Sequence, residues 1–280
     1  MGGAKLSRGT MSIFISMPSK IATFTTDFGL KDPYAAEMKA AVLGICPNVI
    51  IVDVTHEIAK FNIRMGAYVL ASATPYFPRG AVHVAVVDPG VGTQRRPILI
   101  QTKQCFFVGP DNGILVLAAE KQGIICIHEL SNPQLMLFEV SNTFHGRDIF
   151  APAAAHLLNG VKPEEFGPEI REATKPEFTK IKRKNGVLVG EVLHVDGFGN
   201  IITNINEEEV AQSHVEGSVS LELPSCKLEL KLCKAYGETN PCEPLALIGS
   251  HNFLEIALNQ GNAAKKFKTR IGDKITVFNT

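Results

Sequence analysis

Along its first half the chain alternates short, continuously apolar runs with stretches whose apolar positions recur at helical spacing. Ile21–Thr25, Val49–Val54, Ala81–Val87, Arg96–Thr102 and Cys105–Gly109 predict strands, and Pro33–Gly44, Ile63–Ala73, Gly113–Glu120 and Asp148–Leu158 predict helices. Pro75 ends the second helix, because its ring cannot continue the hydrogen-bond ladder. Val- and Ile-rich runs separated by helices predict an α/β domain whose mainly parallel sheet is covered on both faces.

Past Gly167 the pattern changes. Glu169–Lys184 is charged, contains Pro176 and reads as a connection. Val187–His194, Ile201–Asn206, Ser218–Leu223, Leu228–Leu232, Leu245–Ile248, Phe253–Leu258 and Lys274–Phe278 then read as closely spaced strands. They predict a smaller all-β sandwich or barrel. The expected organisation is a disordered extension over 1–20, an α/β domain over 21–177 and a β-rich domain over 178–280.

Composition narrows the partners. Lys plus Arg and Asp plus Glu are each 28, so the formal net charge is zero and nothing draws the chain to nucleic acid or anionic membrane. No apolar run approaches the ~20 residues of a membrane span. The stretch Met11–Met17 is interrupted by serines and lacks a small-residue cleavage site, unlike a secretory signal. Six cysteines form no C-x-x-C pair and sit mostly in apolar runs, as buried thiols of a cytoplasmic protein do.

Polar residues collect after the strands of the first half: Thr26-Asp27-Phe28-Gly29, Asp53-Val54-Thr55-His56, Asp88-Pro89-Gly90-Val91-Gly92 and Gly109-Pro110-Asp111-Asn112-Gly113. In an open α/β sheet the carboxyl ends of strands border the ligand crevice. Asp and Gly also build ordinary turns, so each motif alone supports either reading. Gly90-Val91-Gly92 lacks the third glycine of a dinucleotide fingerprint, and P-loop and H-E-x-x-H motifs are absent. Asp27, Asp53, His56, Asp88 and His145 are ligand types for a divalent cation, but at spacings that match no single-element metal motif. His83 and His156 read as structural.

TTDFG (25–29), VDVTHEI (52–58), VVDPGVGTQRRP (86–97), GPDNG (109–113), TFHGRDIFAPAAAHL (143–157), DGFGNIITN (196–204) and LEIALNQGNAA (254–264) together resemble the S-adenosylmethionine (SAM) hydroxide adenosyltransferase family, relatives of the SAM-dependent fluorinases and chlorinases. The resemblance implies a Rossmann-like first domain and a homotrimer whose ligand lies between the first domain of one subunit and the second domain of its neighbour. It implies that Asp27 holds the ribose hydroxyls, that Asp32 and Asp196 bind the methionine ammonium with Ser250, and that Phe61 walls the ribose and thioether. Tyr236 and Asn200, with the backbone near Asn262 and Ala263, would receive the adenine. No cofactor and no metal are implied, SAM being the substrate.

Hydroxide-using members carry an Asp, Arg and His set, here Asp88, Arg95 and His145. Halogenating relatives replace the aspartate and histidine, place a serine at the position of Gly146, and carry an arginine where His251 stands. They also insert a loop where this chain has only Lys103 and Gln104 between two strands. The resemblance therefore implies hydrolysis of SAM at ribose C5′ to adenosine and methionine, with either Asp88 or His145 taking the proton of water. A non-catalytic SAM or adenosine sensor, a metal-dependent hydrolase and a halogenase are the competing expectations.

Overall fold

The structure, a computed structural model, describes residues 20–184, 187–213 and 217–278. Apart from Lys20, the extension expected over 1–20 lies outside the described residues. Strands β1 (Ile21–Thr26), β2 (Ile50–Thr55), β3 (Val82–Val86), β4 (Pro97–Thr102), β5 (Phe106–Pro110) and β6 (Ile124–Glu129) form one sheet in the order β2-β1-β3-β5-β4-β6. The first four in that order run parallel, while β4 is antiparallel to both β5 and β6.

Period-two alternation divides the strand residues between two cores. Ala22, Phe24, Val82, Val84 and Val86 face one side, packed by α1 (Tyr34–Ile45) and α4 (Ala151–Leu158). Ile21, Ala85, Ile98, Ile100 and Phe107 face the other, packed by α2 (Ile63–Ala73) and α3 (Val116–Gln122). The α2 bounds match the sequence pattern because Asn62 caps the start, accepting from Met65 N, and a 3₁₀ turn carrying Pro75 takes over at the end.

The remaining chain closes a seven-stranded barrel, β14-β10-β11-β12-β13-β9-β8, joined by the β14–β8 pairing, with β7 (Lys182–Lys184) hydrogen-bonded to β8. Its strands are β8 (Val187–Val195), β9 (Ile201–Asn206), β10 (Ser218–Leu223), β11 (Cys226–Cys233), β12 (Pro244–Ile248), β13 (Phe253–Leu258) and β14 (Lys274–Phe278). Leu188, Ile201, Val219, Ile256 and Val277 lie in its interior. Barrel and α/β unit meet through Tyr68, Phe178, Leu193, Ile202 and Phe253, and Arg64 Nη2 donates to Glu191 Oε1 at 2.7 Å.

Several expectations are corrected. β6 carries no predicted counterpart, and the segment expected as a plain connection contributes β7. The helix expected at Gly113–Glu120 starts later, after Asn112 accepts from Ile114 N. Asp53 lies within β2, opposite Phe24, inside the strand expected over Val49–Val54. All six cysteines are free thiols, but only Cys46, Cys105 and Cys233 are buried and Cys242 is exposed.

Candidate active site

β1 and β3 are parallel neighbours, so Asp27 and Asp88, each just past its strand, emerge at the same edge of the sheet. A cavity of about 660 Å³ opens there, and Asp27, Asp32, Phe61, Asp88 and His145 line it. Carboxylates outnumber cationic groups on its walls: Asp27, Asp32, Glu37 and Asp88 against Lys60 and Arg147. Such a lining favours a positively charged ligand.

Asp88, Arg95 and His145 meet. Arg95 Nε donates to Asp88 Oδ1 at 2.9 Å, its Nη2 donates to Asp88 Oδ2, and the same Nη2 lies 2.9 Å from His145 Nδ1. The Arg95 guanidinium also lies 5.3 Å from the centroid of the Phe150 ring. Burial, then the Arg95 charge, pushes the His145 pKa below its usual range against the opposing pull of Asp88 and Asp148.

Local structure explains the meeting. The Asp88–Arg95 loop is tightened by Val91 N donating to Asp88 O at 3.3 Å and by Thr93 Oγ1 donating to Gly90 O at 2.7 Å. His145 precedes a π-helical turn, Gly146–Phe150, a geometry frequent at functional sites. The fully buried Asp148 anchors that turn, accepting from Ser141 N at 2.8 Å and from Arg147 Nε at 2.7 Å. Burial would raise the Asp148 carboxyl, but these donors more than offset it and hold it low. Arg147 Nη1 donates to Glu37 Oε2 at 2.8 Å, tying the turn to α1.

Opposite, Asp27 Oδ2 accepts from Phe61 N at 2.9 Å, and Lys60 Nζ donates to the Asp27 carbonyl. Phe61 has φ +63°, a left-handed backbone uncommon for a bulky residue, and its ring is exposed at the cavity wall.

Asp196, Asn200, Tyr236, Ser250, Asn262 and Ala263 lie on the barrel and line no part of this cavity. Asn200 Nδ2 donates to Asp196 Oδ2 at 3.0 Å, Ala264 N donates to Gly199 O at 2.9 Å, and Tyr236 OH donates to the buried Glu255 at 2.6 Å. Ser250 O accepts from Tyr76 OH at 3.4 Å, and His251 Nδ1 lies 3.2 Å from Tyr68 OH.

The sequence reading missed Glu37, Lys60, Arg147 and Glu255. Arg147 lies two residues past His145 in the stretch 143–157, whereas Glu37 and Lys60 carry no spacing signal. Asp111 turns away from the cavity, accepting from Arg96 Nε at 2.9 Å and Thr174 N at 2.7 Å. Among the described residues no three His, Cys, Asp or Glu side chains converge to hold a metal ion. Among them, too, no helix is long and apolar enough to cross a membrane.

Residues 22–167 match the SAM hydroxide adenosyltransferase N-terminal domain, and residues 190–276 match the corresponding C-terminal domain. The (R)-S-adenosyl-L-methionine hydrolase of Methanocaldococcus jannaschii is 39% identical over 269 residues, spanning 92% of this chain and 95% of that protein. The protein of the same name from Thermus thermophilus is 37% identical over 256 residues, spanning 89% and 96%. A fluorinase from an Actinoplanes species is 27% identical over 288 residues, spanning 92% and 97%. The crystal structure of an uncharacterized conserved protein from Thermotoga maritima has a TM-score of 0.84 at 38% identity, covering 92% of this chain and 99% of that one. The chain therefore belongs to the SAM hydroxide adenosyltransferase family.

Proposed function

We propose that the chain hydrolyses S-adenosyl-L-methionine, in the R sulfonium configuration named for its relatives, to adenosine and L-methionine. The observation that carries this reading is the Asp88–Arg95–His145 constellation bordering a cavity that also presents Asp27 and Asp32.

The sulfonium leaves as a neutral thioether, so sulfur needs no acid. Water attacks C5′ in line: the C5′–O bond forms, the C5′–S bond breaks, sulfur keeps the electron pair, and one proton leaves the water. Arg95 has only donors, so His145 Nδ1 must accept from it, and the neutral imidazole carries its proton on Nε2. Nε2–H then donates to a hydroxide-like oxygen and cannot take the proton. Asp88 takes it, with carboxylate lone pairs left over from Arg95. Alignment contributes the larger share. Positioning lowers such a barrier by roughly 7–11 kcal/mol, and general base help gives about 10²–10⁴-fold, which is ~3–5 kcal/mol.

In this reading Asp27 accepts from the ribose hydroxyls and Phe61 covers the ribose. Asp32 meets the methionine ammonium. The barrel of a second subunit in a homotrimer completes the site with Asp196, Ser250, Tyr236, Asn200 and the Asn262–Ala263 backbone. That these barrel residues line no part of the cavity within one chain supports this arrangement. A cytoplasmic setting without cofactor follows from the same reading.

The test is product analysis in halide-free buffer containing chelator. Equimolar adenosine and methionine are expected. Activity restored only by a divalent cation would favour a metallohydrolase, chloride-dependent 5′-chloro nucleoside would favour a halogenase, and binding without product would favour a sensor.

A further inference from the structure

The motif at 52–58 supplies no residue to the chemistry above, yet its histidine sits under the cavity. His56 is 3% exposed and lines no part of the cavity. Its Nε2 lies 3.1 Å from Asp53 Oδ1, an electrostatic contact without hydrogen-bond alignment, while Asp53 Oδ2 accepts from Lys39 Nζ at 2.6 Å. Its Nδ1 lies 2.8 Å from Thr26 Oγ1, which also accepts from Phe28 N at 3.2 Å. The His56 carbonyl accepts from Gly29 N at 2.7 Å, and the Thr26 carbonyl accepts from Ile58 N at 3.2 Å.

These contacts have one consistent set of directions. Burial would raise the Asp53 carboxyl, but Lys39, which donates to it, and the neighbouring His56 hold it below its ordinary value, so it stays ionised and accepts only. Nε2 of His56 therefore carries the imidazole proton and Nδ1 accepts. The Thr26 hydroxyl donates to Nδ1, which turns its lone pairs toward Phe28 N–H. The relay ends on the backbone either side of Asp27, whose carboxylate is fixed from the far side by Phe61 N.

We propose that His56 is a positioning residue: the Asp53–His56–Thr26 relay holds the Asp27–Gly29 turn so that the Asp27 carboxylate faces the ribose diol. The substrate half of this proposal rests on the reading given under Proposed function. Thr26 is fully buried, so the relay acts through geometry and not as a nucleophile.

Calorimetric titration of the full-length protein with adenosine tests the relay without turnover, so failure of hydrolysis alone leaves this measurement intact. Each of His56→Ala and Thr26→Val is expected to weaken adenosine binding about tenfold, the loss of one aligned hydrogen bond. Each should change binding of 2′,3′-dideoxyadenosine less than about twofold, since that ligand has no hydroxyls for Asp27. Thr26→Ser keeps the hydroxyl and is expected to bind like the wild type. In a cycle with Asp27→Asn the effects should be strongly non-additive. Equal weakening for both nucleosides, additive effects with Asp27→Asn, or no adenosine binding by the wild type would overturn the proposal. Thermal melts identify any variant that is unfolded, and Thr26→Ser with the two nucleosides then decides the matter.

Discussion

Gly92 packs against the Asn142 carbonyl so closely that a Cβ would overlap that oxygen, and its φ of +73° is one L side chains rarely adopt. The contact joins the loop carrying Asp88 and Arg95 to the segment carrying His145. Gly92→Ala is therefore expected to cost about 1–3 kcal/mol of stability and to lower kcat at temperatures where the protein remains folded. Melting curves and initial rates on the same preparation check both.

Asp88→Asn should lower kcat by about 10²–10⁴-fold while KM changes little, because the lost interaction acts on the water and not on bound substrate. Arg95→Lys should also lower kcat, since an ammonium cannot span Asp88 and His145 with the fork that guanidinium provides. Steady-state kinetics on the wild type and both variants tests this.

The His145 pKa also predicts a pH profile. Burial and Arg95 hold it below the ordinary value of 6.5, so the ring is neutral at pH 7. Protonation at Nδ1 would remove the acceptor that Arg95 uses. kcat/KM should therefore be level around neutrality and fall as the solution is acidified through that lowered pKa. His145→Gln should lack this acid limb and retain a lower, flatter rate.

A Cβ on Gly146 would lie 3.1 Å from Met38 Sδ and 3.2 Å from the Phe144 ring. Gly146→Ser is expected to crowd α1 and reduce hydrolysis without creating chloride-dependent product. Nucleoside analysis with and without chloride checks it.

Much of the α/β unit is readable because Val and Ile runs alternate with helical patterns, and Asn62 and Pro75 bracket α2. β6 is not readable: Ile125 is exposed between half-buried Ile124 and Cys126, so its apolar run shows no clean period. Asp27, Asp32, Phe61, Asp88 and His145, from four separate stretches of the chain, line one cavity. Glu37 and Lys60 escape notice because a charged residue on a helix or loop resembles a solvated surface. That Asp196, Asn200, Tyr236 and Ser250 line no part of the cavity is a matter of domain placement, which periodicity does not encode.

His83 gives a prediction about stability. It is fully buried, 2.8 Å from Thr23 Oγ1, and burial lowers its pKa to about 3. Between about pH 6.5 and about pH 3 the unfolded chain binds a proton that the folded chain does not, so stability rises with pH in that window. It is fully present above that window and is lost on acidification, by on the order of a few kcal/mol. Melts from pH 7 downward should show this slope, and His83→Phe should reduce it whatever its own baseline stability.

The most direct test of the central claim is turnover in ¹⁸O-labelled water with mass analysis of both products. Attack at C5′ by water predicts one heavy oxygen in the 5′-hydroxyl of adenosine, none in methionine, and loss of the labelled product in Asp88→Asn. Unlabelled adenosine, label in the amino acid, or labelling unchanged in Asp88→Asn would contradict the account.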